Sequence, residues 1–267
     1  MSSSSSNFLP SPEGIHQLVA WVREAGQIAL RSFNNVEPYP KADRTWLTEA
    51  DLEIEQFLAE RLKTAYPNCR LIGEEGTQDQ LDSTDPHIWV IDPIDGTTAF
   101  SQGLPGWGIS LGLLHQGLPR FGLFYMPLLD QVTYSTASDE IYRNQTRLNQ
   151  SVRRQWREKD FLAINASAHA EFQIEIRHTR ALGSISTNLI YTAWGTAAAA
   201  LITRAYLWDL VAGSAILTGA GGTLTYLSGT PIDYLSLLDG RLATEPIIAA
   251  HPDIQTILRK RIHPFRQ

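Results

Sequence analysis

Two carboxylates, Asp92 and Asp95, stand with only Pro93 and Ile94 between them, and Gly96, Thr97 and Thr98 follow at once. Upstream lies the apolar run Ile88, Trp89, Val90 and Ile91. It is too short for a helix and too hydrophobic for an exposed edge, so it reads as a buried strand. Pro93 has no N–H to give to a sheet ladder, and the strand is expected to stop there. Gly96 permits a tight turn, and Thr97 or Thr98 can begin a helix. Carboxylate oxygens suit hard cations, and N–H groups at a helix start suit phosphate oxygens. Both in one bend point to metal-assisted chemistry on a phosphate ester. Alone, such a run is also an ordinary surface turn, with Asp chosen for its local hydrogen bonds. Further acids elsewhere in the chain decide between the two.

Those acids are present. Thr48 followed by Asp51 has the spacing of a capping box, and an acid in a first helical turn is well placed to orient a water. Glu74 and Glu75 sit between Gly73 and Gly76, a poor setting for strand or helix. Asp209 follows Trp208 and precedes Ala212 and Gly213. Each acid falls where a strand or loop gives way to a helix or turn. A set of oxygen donors with no His or Cys cluster suits a hard cation. No Ser or Cys carries the local signature of an activated nucleophile.

The whole chain bounds what such a site can belong to. Its 267 residues suffice for one large domain or two joined halves, and a hydrophobic share of 43% supports a full core. A net charge of −6 argues against a broad grip on nucleic acid. The single Cys69 excludes an intrachain disulfide framework and fits a reducing compartment. No apolar run approaches a bilayer span, and the serine-rich start lacks the pattern of a secretory signal. A flexible tail over residues 1–10 and a cytoplasmic location are the expectation.

The elements that must position the acids follow from periodicity. Ser11, Pro12 and Glu13 open a helix with apolar positions through about Phe33. A second helix after Thr48 carries Ile54, Phe57, Leu58 and Leu62 and stops at Tyr66 and Pro67. Residues 71–72 begin a short strand, and the polar stretch 78–86 is a lid or a long connection. Residues 108–115, 120–126 and 131–135 alternate as strands, which gives an antiparallel sheet in the first half. Residues 144–160 are polar and basic with Trp156 as their aromatic, a connecting surface rather than a nucleic-acid platform. Beyond them strands are expected at 161–165, at 180–183, at 205–208 stopping at Asp209, at 223–227 and at 247–250. Helices are expected at 171–178, from Ser184 to about Trp194, at 210–220 and at 253–261. Alternating types imply a sheet covered on its faces.

Taken together, Thr48 to Asp51, Gly73 to Glu75, Asp92 to Thr98, and Trp208 to Gly213 make the chain resemble the inositol monophosphatase superfamily, the lithium-sensitive, magnesium-dependent phosphomonoesterases. The resemblance runs from about Ser11 to the C-terminus. It implies an α/β layered sandwich, αβαβα, of the inositol-monophosphatase and fructose-bisphosphatase kind, with an antiparallel sheet in the first half and a mixed one in the second. The halves would span 11–145, with most metal ligands, and 146–267. By motif position, Glu74, Asp92 and the carbonyl of Ile94 would hold one Mg²⁺, and Asp92, Asp95 and Asp209 a second. A third, weaker ion would lean on Glu74. Asp51 and Thr97, with Glu74, would be catalytic, activating the attacking water. The N–H groups of Gly96 and Thr97 would take phosphate oxygens. Two cations about 4 Å apart can activate water and steady the departing alkoxide together.

The resemblance implies a small phosphorylated polyol such as inositol 1-phosphate as substrate. Nucleoside 3′,5′-bisphosphate, histidinol phosphate and sugar bisphosphate are alternatives, and a regulatory binding protein that keeps the fold is a non-enzyme alternative. No nucleic acid or membrane partner is expected, and a homodimer is carried by analogy. Three positions depart from the family pattern. Ile202 stands where an acid commonly grips substrate hydroxyls, Ala198 ends the Gly195 motif that usually ends in Asp, and Trp46 replaces a proline. Arg204 either meets a second anionic group or is simply exposed.

Overall fold

The computed structural model describes residues 8–34, 39–40, 46–80, 85–149 and 152–265. Helix α1 (Pro12–Ser32) starts as its sequence dictates: the Ser11 hydroxyl accepts the Gly14 N–H at 3.2 Å and proline occupies the first turn. A two-residue antiparallel ladder, β1 (Tyr39–Pro40) with β2 (Trp46–Leu47), leads into α2 (Glu49–Ala65). Then come β3 (Arg70–Gly73), β4 (His87–Asp95), the short helix α3 (Thr97–Ser101), β5 (Gly108–His115), β6 (Leu118–Met126), β7 (Gln131–Ser135), β8 (Ile141–Arg143) and β9 (Thr146–Leu148). These seven strands, β3 to β9, form one sheet in sequence order. Only β3 and β4 run parallel; every later pair is antiparallel.

The second half is β10 (Leu162–Ile164), α4 (Ala168–Glu171), β11 (Phe172–Ile174), β12 (Thr179–Arg180), α5 (Ile185–Ala193), β13 (Ala199–Ile202), α6 (Leu207–Gly219), β14 (Thr223–Tyr226), β15 (Ile247–Ala250), α7 (Pro252–Leu258) and β16 (Ile262–Pro264). Its main sheet has the order β12-β10-β13-β15-β14 and is mixed.

Strand alternation sorts the core into layers. On β4, Trp89 and Ile91 face the cluster built with α1 and α2, while Ile88 and Val90 face the cluster built with α5 and α6. That second cluster also contains Ala200, Ile202 and Ala249 of the mixed sheet. The sheet's far side packs against α4 and α7 through Ala168, Ile254 and Leu258. The layers therefore run helix pair, sheet, helix pair, sheet, helix. The approach of α6 to the first sheet requires glycine: a Cβ on Gly112 would sit 2.5 Å from Val211 Cγ1.

Several sequence expectations are corrected. β4 does not stop at Pro93. It continues to Asp95 with a register shift between Asp92, opposite Ser110, and Asp95, opposite Gly108. β3 ends opposite Ile91, so Pro93 lies in a bulge with one neighbouring strand, where no donor is missed. Residues 172–176 are not helical. Phe172 and Ile176 are buried and their neighbours exposed, the period of a strand, and β11 pairs with β16. Residues 205–208 are not a strand; the strand is β13, at 199–202, and Trp208 lies in the first turn of α6. The hairpin β8–β9 carries the first sheet to Leu148. At the N-terminus Leu9 and Pro10 are buried and Phe8 stacks on His115, centroids 3.8 Å apart, so these three are part of the packed body. Residues 1–7 of the expected tail and 81–84 of the expected lid lie outside the described residues, as does the Trp46 side chain.

Candidate active site

The bulge at the end of β4 throws Asp92, Ile94 and Asp95 toward the same end of the sheet at which α6 begins. Gly96 then takes φ 97°, the left-handed region, and a Cβ there would meet the Ser184 Cβ at 2.7 Å. Asp209 is the third residue of α6, and its Oδ2 accepts the Tyr206 N–H at 2.6 Å. One carboxylate oxygen from each of Asp92, Asp95 and Asp209 lies within 4.8 Å of the others.

Other elements fix these groups. The Ser184 side chain caps α5 by accepting the Thr187 N–H at 3.0 Å, and the next N–H but one, from Ser186, donates to Asp95 Oδ2. On the β3 side the Glu74 N–H donates to the Ile91 carbonyl at 3.2 Å. Glu55 of α2, 2% exposed, accepts the Glu75 and Thr77 N–H groups, both at 2.7 Å. It holds the loop that presents Glu74.

The acids so fixed face a cavity of about 680 Å³. Glu74, Asp92, Asp95 and Asp209 form one wall, with Ile94, Gly96 and Thr97 at its corner. The Thr97 hydroxyl donates to the Ile94 carbonyl at 3.2 Å. Asn165, Ser184, Arg204, Tyr206, Trp208 and Leu242 are also among its lining residues. Asp51 is not among the lining residues. It is fully buried behind Asp92, with Oδ2 accepting both the N–H and the hydroxyl of Thr48 at 2.8 and 2.6 Å.

The acid wall is electrostatically costly as it stands. Burial pushes the Asp92 carboxyl well above the usual carboxylate range, and the charges of Glu74, Asp95, Asp209 and Asp51 push the same way. Burial pushes Asp95 up to about 6; hydrogen bonds from Ser186 and Ser184 pull it down and Glu74 pushes it up. Both Asp92 oxygens are buried with no hydrogen-bond partner. Buried acceptors of this kind call for a cation. An all-oxygen set without His or Cys fits a hard divalent ion, Mg²⁺ among them.

The sequence-derived residues Glu74, Asp92, Ile94, Asp95, Gly96, Thr97 and Asp209 thus share one cavity, and Asp51 stands behind it. Glu55, Ser186 and Asn165 were missed. Glu55 was within reach: it lies on the apolar face of α2 with Asp51, Ile54, Leu58 and Leu62, where an acid needs a reason. Ser186 and Asn165 carry no local signal.

The description "Inositol monophosphatase family" matches residues 13–262. An inositol-1-monophosphatase of Bacillus subtilis is 31% identical over 257 residues, covering 91% of this chain and 94% of its own. A putative Nus factor SuhB of Neisseria meningitidis is 29% identical, covering 90% and 94%. A solved structure described as an IMPase/NADP phosphatase complexed with Mg²⁺ and phosphate superposes with a TM-score of 0.80 at 20% identity, over 93% of this chain and 94% of the other. That last likeness speaks for the fold.

Proposed function

The chain belongs to the inositol monophosphatase family and is a phosphatase, a hydrolase of phosphoric monoesters; from that premise we propose that it uses Mg²⁺ to hydrolyse a small phosphorylated polyol of the inositol 1-phosphate kind. The observation that carries the metal is the buried, unpartnered Asp92 carboxylate within reach of Asp95 and Asp209.

Glu74, Asp92 and the Ile94 carbonyl would hold one ion, and Asp92, Asp95 and Asp209 another, with a third on Glu74. Bound there, Mg²⁺ supplies the positive charge that offsets a phosphate dianion and polarises water and the departing oxygen. The chain's own residues do the rest. The N–H groups of Gly96 and Thr97 donate to phosphate oxygens and fix the ester's orientation. Thr97 and Asp51 would together position the attacking water and take up the proton it loses. The phosphorus–oxygen bond to the alcohol breaks as the water oxygen attacks, so no Ser or Cys enters the bond changes.

The two halves, 11–145 and 146–267, would both contribute, the acids mostly from the first half and Asp209 from the second. A homodimer, inhibition by lithium and a cytoplasmic location complete the reading. A relative described as a putative Nus factor raises a regulatory alternative, but binding alone needs no buried carboxylate cluster. Phosphate release from inositol 1-phosphate, adenosine 3′,5′-bisphosphate, histidinol phosphate and fructose 1,6-bisphosphate, with Mg²⁺ or with EDTA, tests the reading. Turnover that requires Mg²⁺ and falls with lithium supports it. Turnover undiminished in EDTA overturns the metal roles.

A further inference from the structure

The acids of the cavity and the rest of its lining differ in what they can bind. Outside the acid cluster, the described lining residues include no carboxylate. Ile202, at the position where the family commonly carries its hydroxyl-gripping acid, is fully buried in β13 and does not line the cavity. What the rest of the lining presents instead is the donors of Arg204 and Asn165. Arg204 is exposed at the cavity and forms no ion pair or hydrogen bond among the described residues, although Asp209 is five residues away. The Asn165 Oδ1 is taken by the Thr203 N–H at 3.1 Å, which leaves its amide N–H₂ as the group with capacity to spare.

This part of the lining is also firmly placed. The Ala243 N–H donates to the Ala205 carbonyl at 2.8 Å, tying the segment with Leu242 to the residue after Arg204. Tyr206 and Trp208 stack at 5.0 Å and 18°, which stiffens the turn from Arg204 into α6. A neutral polyol offers hydroxyls that must donate as well as accept, and this part of the lining has little to receive them. A phosphate offers acceptors alone, and a guanidinium fork matches its oxygens in pairs. An arginine that only balanced the acids would be expected to pair with one of them.

Resting on the phosphatase reading above, and narrowing its substrate to the bisphosphate alternative in place of inositol 1-phosphate, we propose that Arg204, helped by Asn165, binds a second phosphate in the same cavity, so that the enzyme prefers organic bisphosphates to the matching monophosphates. The scissile phosphate goes to the acid wall and its cations; the second stays bound to Arg204 and leaves with the alcohol.

The test compares kcat/KM for matched pairs: adenosine 3′,5′-bisphosphate against adenosine 3′-monophosphate, and fructose 1,6-bisphosphate against fructose 1-phosphate. The wild type is expected to favour the bisphosphate of at least one pair by about ten- to a hundredfold, chiefly through KM, the scale of a charge-assisted hydrogen-bond pair. Arg204→Gln should bring that ratio close to one, and Arg204→Lys should keep part of it. A wild-type ratio near one for both pairs, or a ratio that Arg204→Gln leaves unchanged, overturns the proposal. Absence of Mg²⁺-dependent turnover on every ester defeats the phosphatase reading instead. Calorimetric binding of adenosine 3′,5′-bisphosphate then still reads the anion site: about tenfold weaker binding to Arg204→Gln supports it, and equal binding overturns it.

Discussion

At the start of α2 and at the start of α6 the chain uses one device twice. A carboxylate in the third helical position takes the N–H of the residue before the helix, Asp51 from Thr48 at 2.8 Å and Asp209 from Tyr206 at 2.6 Å. The surroundings differ. Asp51 is fully buried, and the same oxygen also takes the Thr48 hydroxyl. Asp209 is half-buried, lines the cavity, and offers an oxygen within 4.8 Å of Asp92 and Asp95. A cap is decided by four consecutive residues. Whether it also does chemistry is decided by what the fold packs against it, here the bulged end of β4.

Asp209→Asn should have the largest effect that bears on this difference. Asparagine can still accept the Tyr206 N–H, so the helix start survives, but one carboxylate charge of the proposed metal site is gone. Activity on a generic phosphomonoester with Mg²⁺ should fall by at least about a thousandfold, the scale of a lost catalytic electrostatic group. Mn²⁺ binding, followed by electron paramagnetic resonance, should weaken with it. Asp51→Asn should separate the two positions: activity falls about a hundredfold, the low end for a lost proton acceptor, while Mn²⁺ binding stays. Loss of Mn²⁺ binding in Asp51→Asn would place that carboxylate among the ligands and erase the contrast.

A smaller effect is expected at Glu55. In Glu55→Gln one carboxylate oxygen becomes an amide N–H₂, which faces an N–H of Glu75 or Thr77 instead of accepting it. Leaving that donor unsatisfied costs about 1–3 kcal/mol in unfolding free energy. Looser placement of Glu74 should cost about tenfold in kcat/KM, the low end for a lost partner of a ligand. A variant that melts lower yet keeps full activity would confine Glu55 to holding the loop's shape.

The helix starts and the acids were legible in the sequence because each is signalled within a few residues. Ser11 with Pro12, Thr48 with Asp51, and Ser184 all cap the helices they announced. What escaped depends on distant partners. Pro93 could remain in β4 because β3 ends beside Ile91, a fact about register. Residues 172–174 are a strand because residues 262–264 return to pair with them. Trp208 read as the end of a strand because the apolar positions around it are buried by tertiary packing, which blurs the helical period. Ser186 became a partner of Asp95 only through the fold, with 91 residues between them in sequence.

The smallest expected effect is on stability against pH. Asp95 in the metal-free protein is pushed up to about 6, above the ordinary value of about 3.9. The fold thus favours its protonated form. That contribution is fully present below about 3.9 and is lost as pH rises through about 6. In EDTA the melting temperature should therefore drift down between pH 5 and 7.5, relative to a variant with Asn at position 95. With saturating Mg²⁺ the slope should reverse, because ligands bind metal only when deprotonated.

The most direct measurement is the melting temperature of the wild type and of Asp92→Asn, each with EDTA and with Mg²⁺. If the acids of β4, α6 and the Glu74 loop are gathered to hold a cation, Mg²⁺ raises the wild-type midpoint. In EDTA Asp92→Asn melts higher than the wild type, since the cost of burying an ionisable carboxyl among other acids has gone, and Mg²⁺ barely moves it. A wild type indifferent to Mg²⁺, with Asp92→Asn melting lower than it in EDTA, would contradict the account.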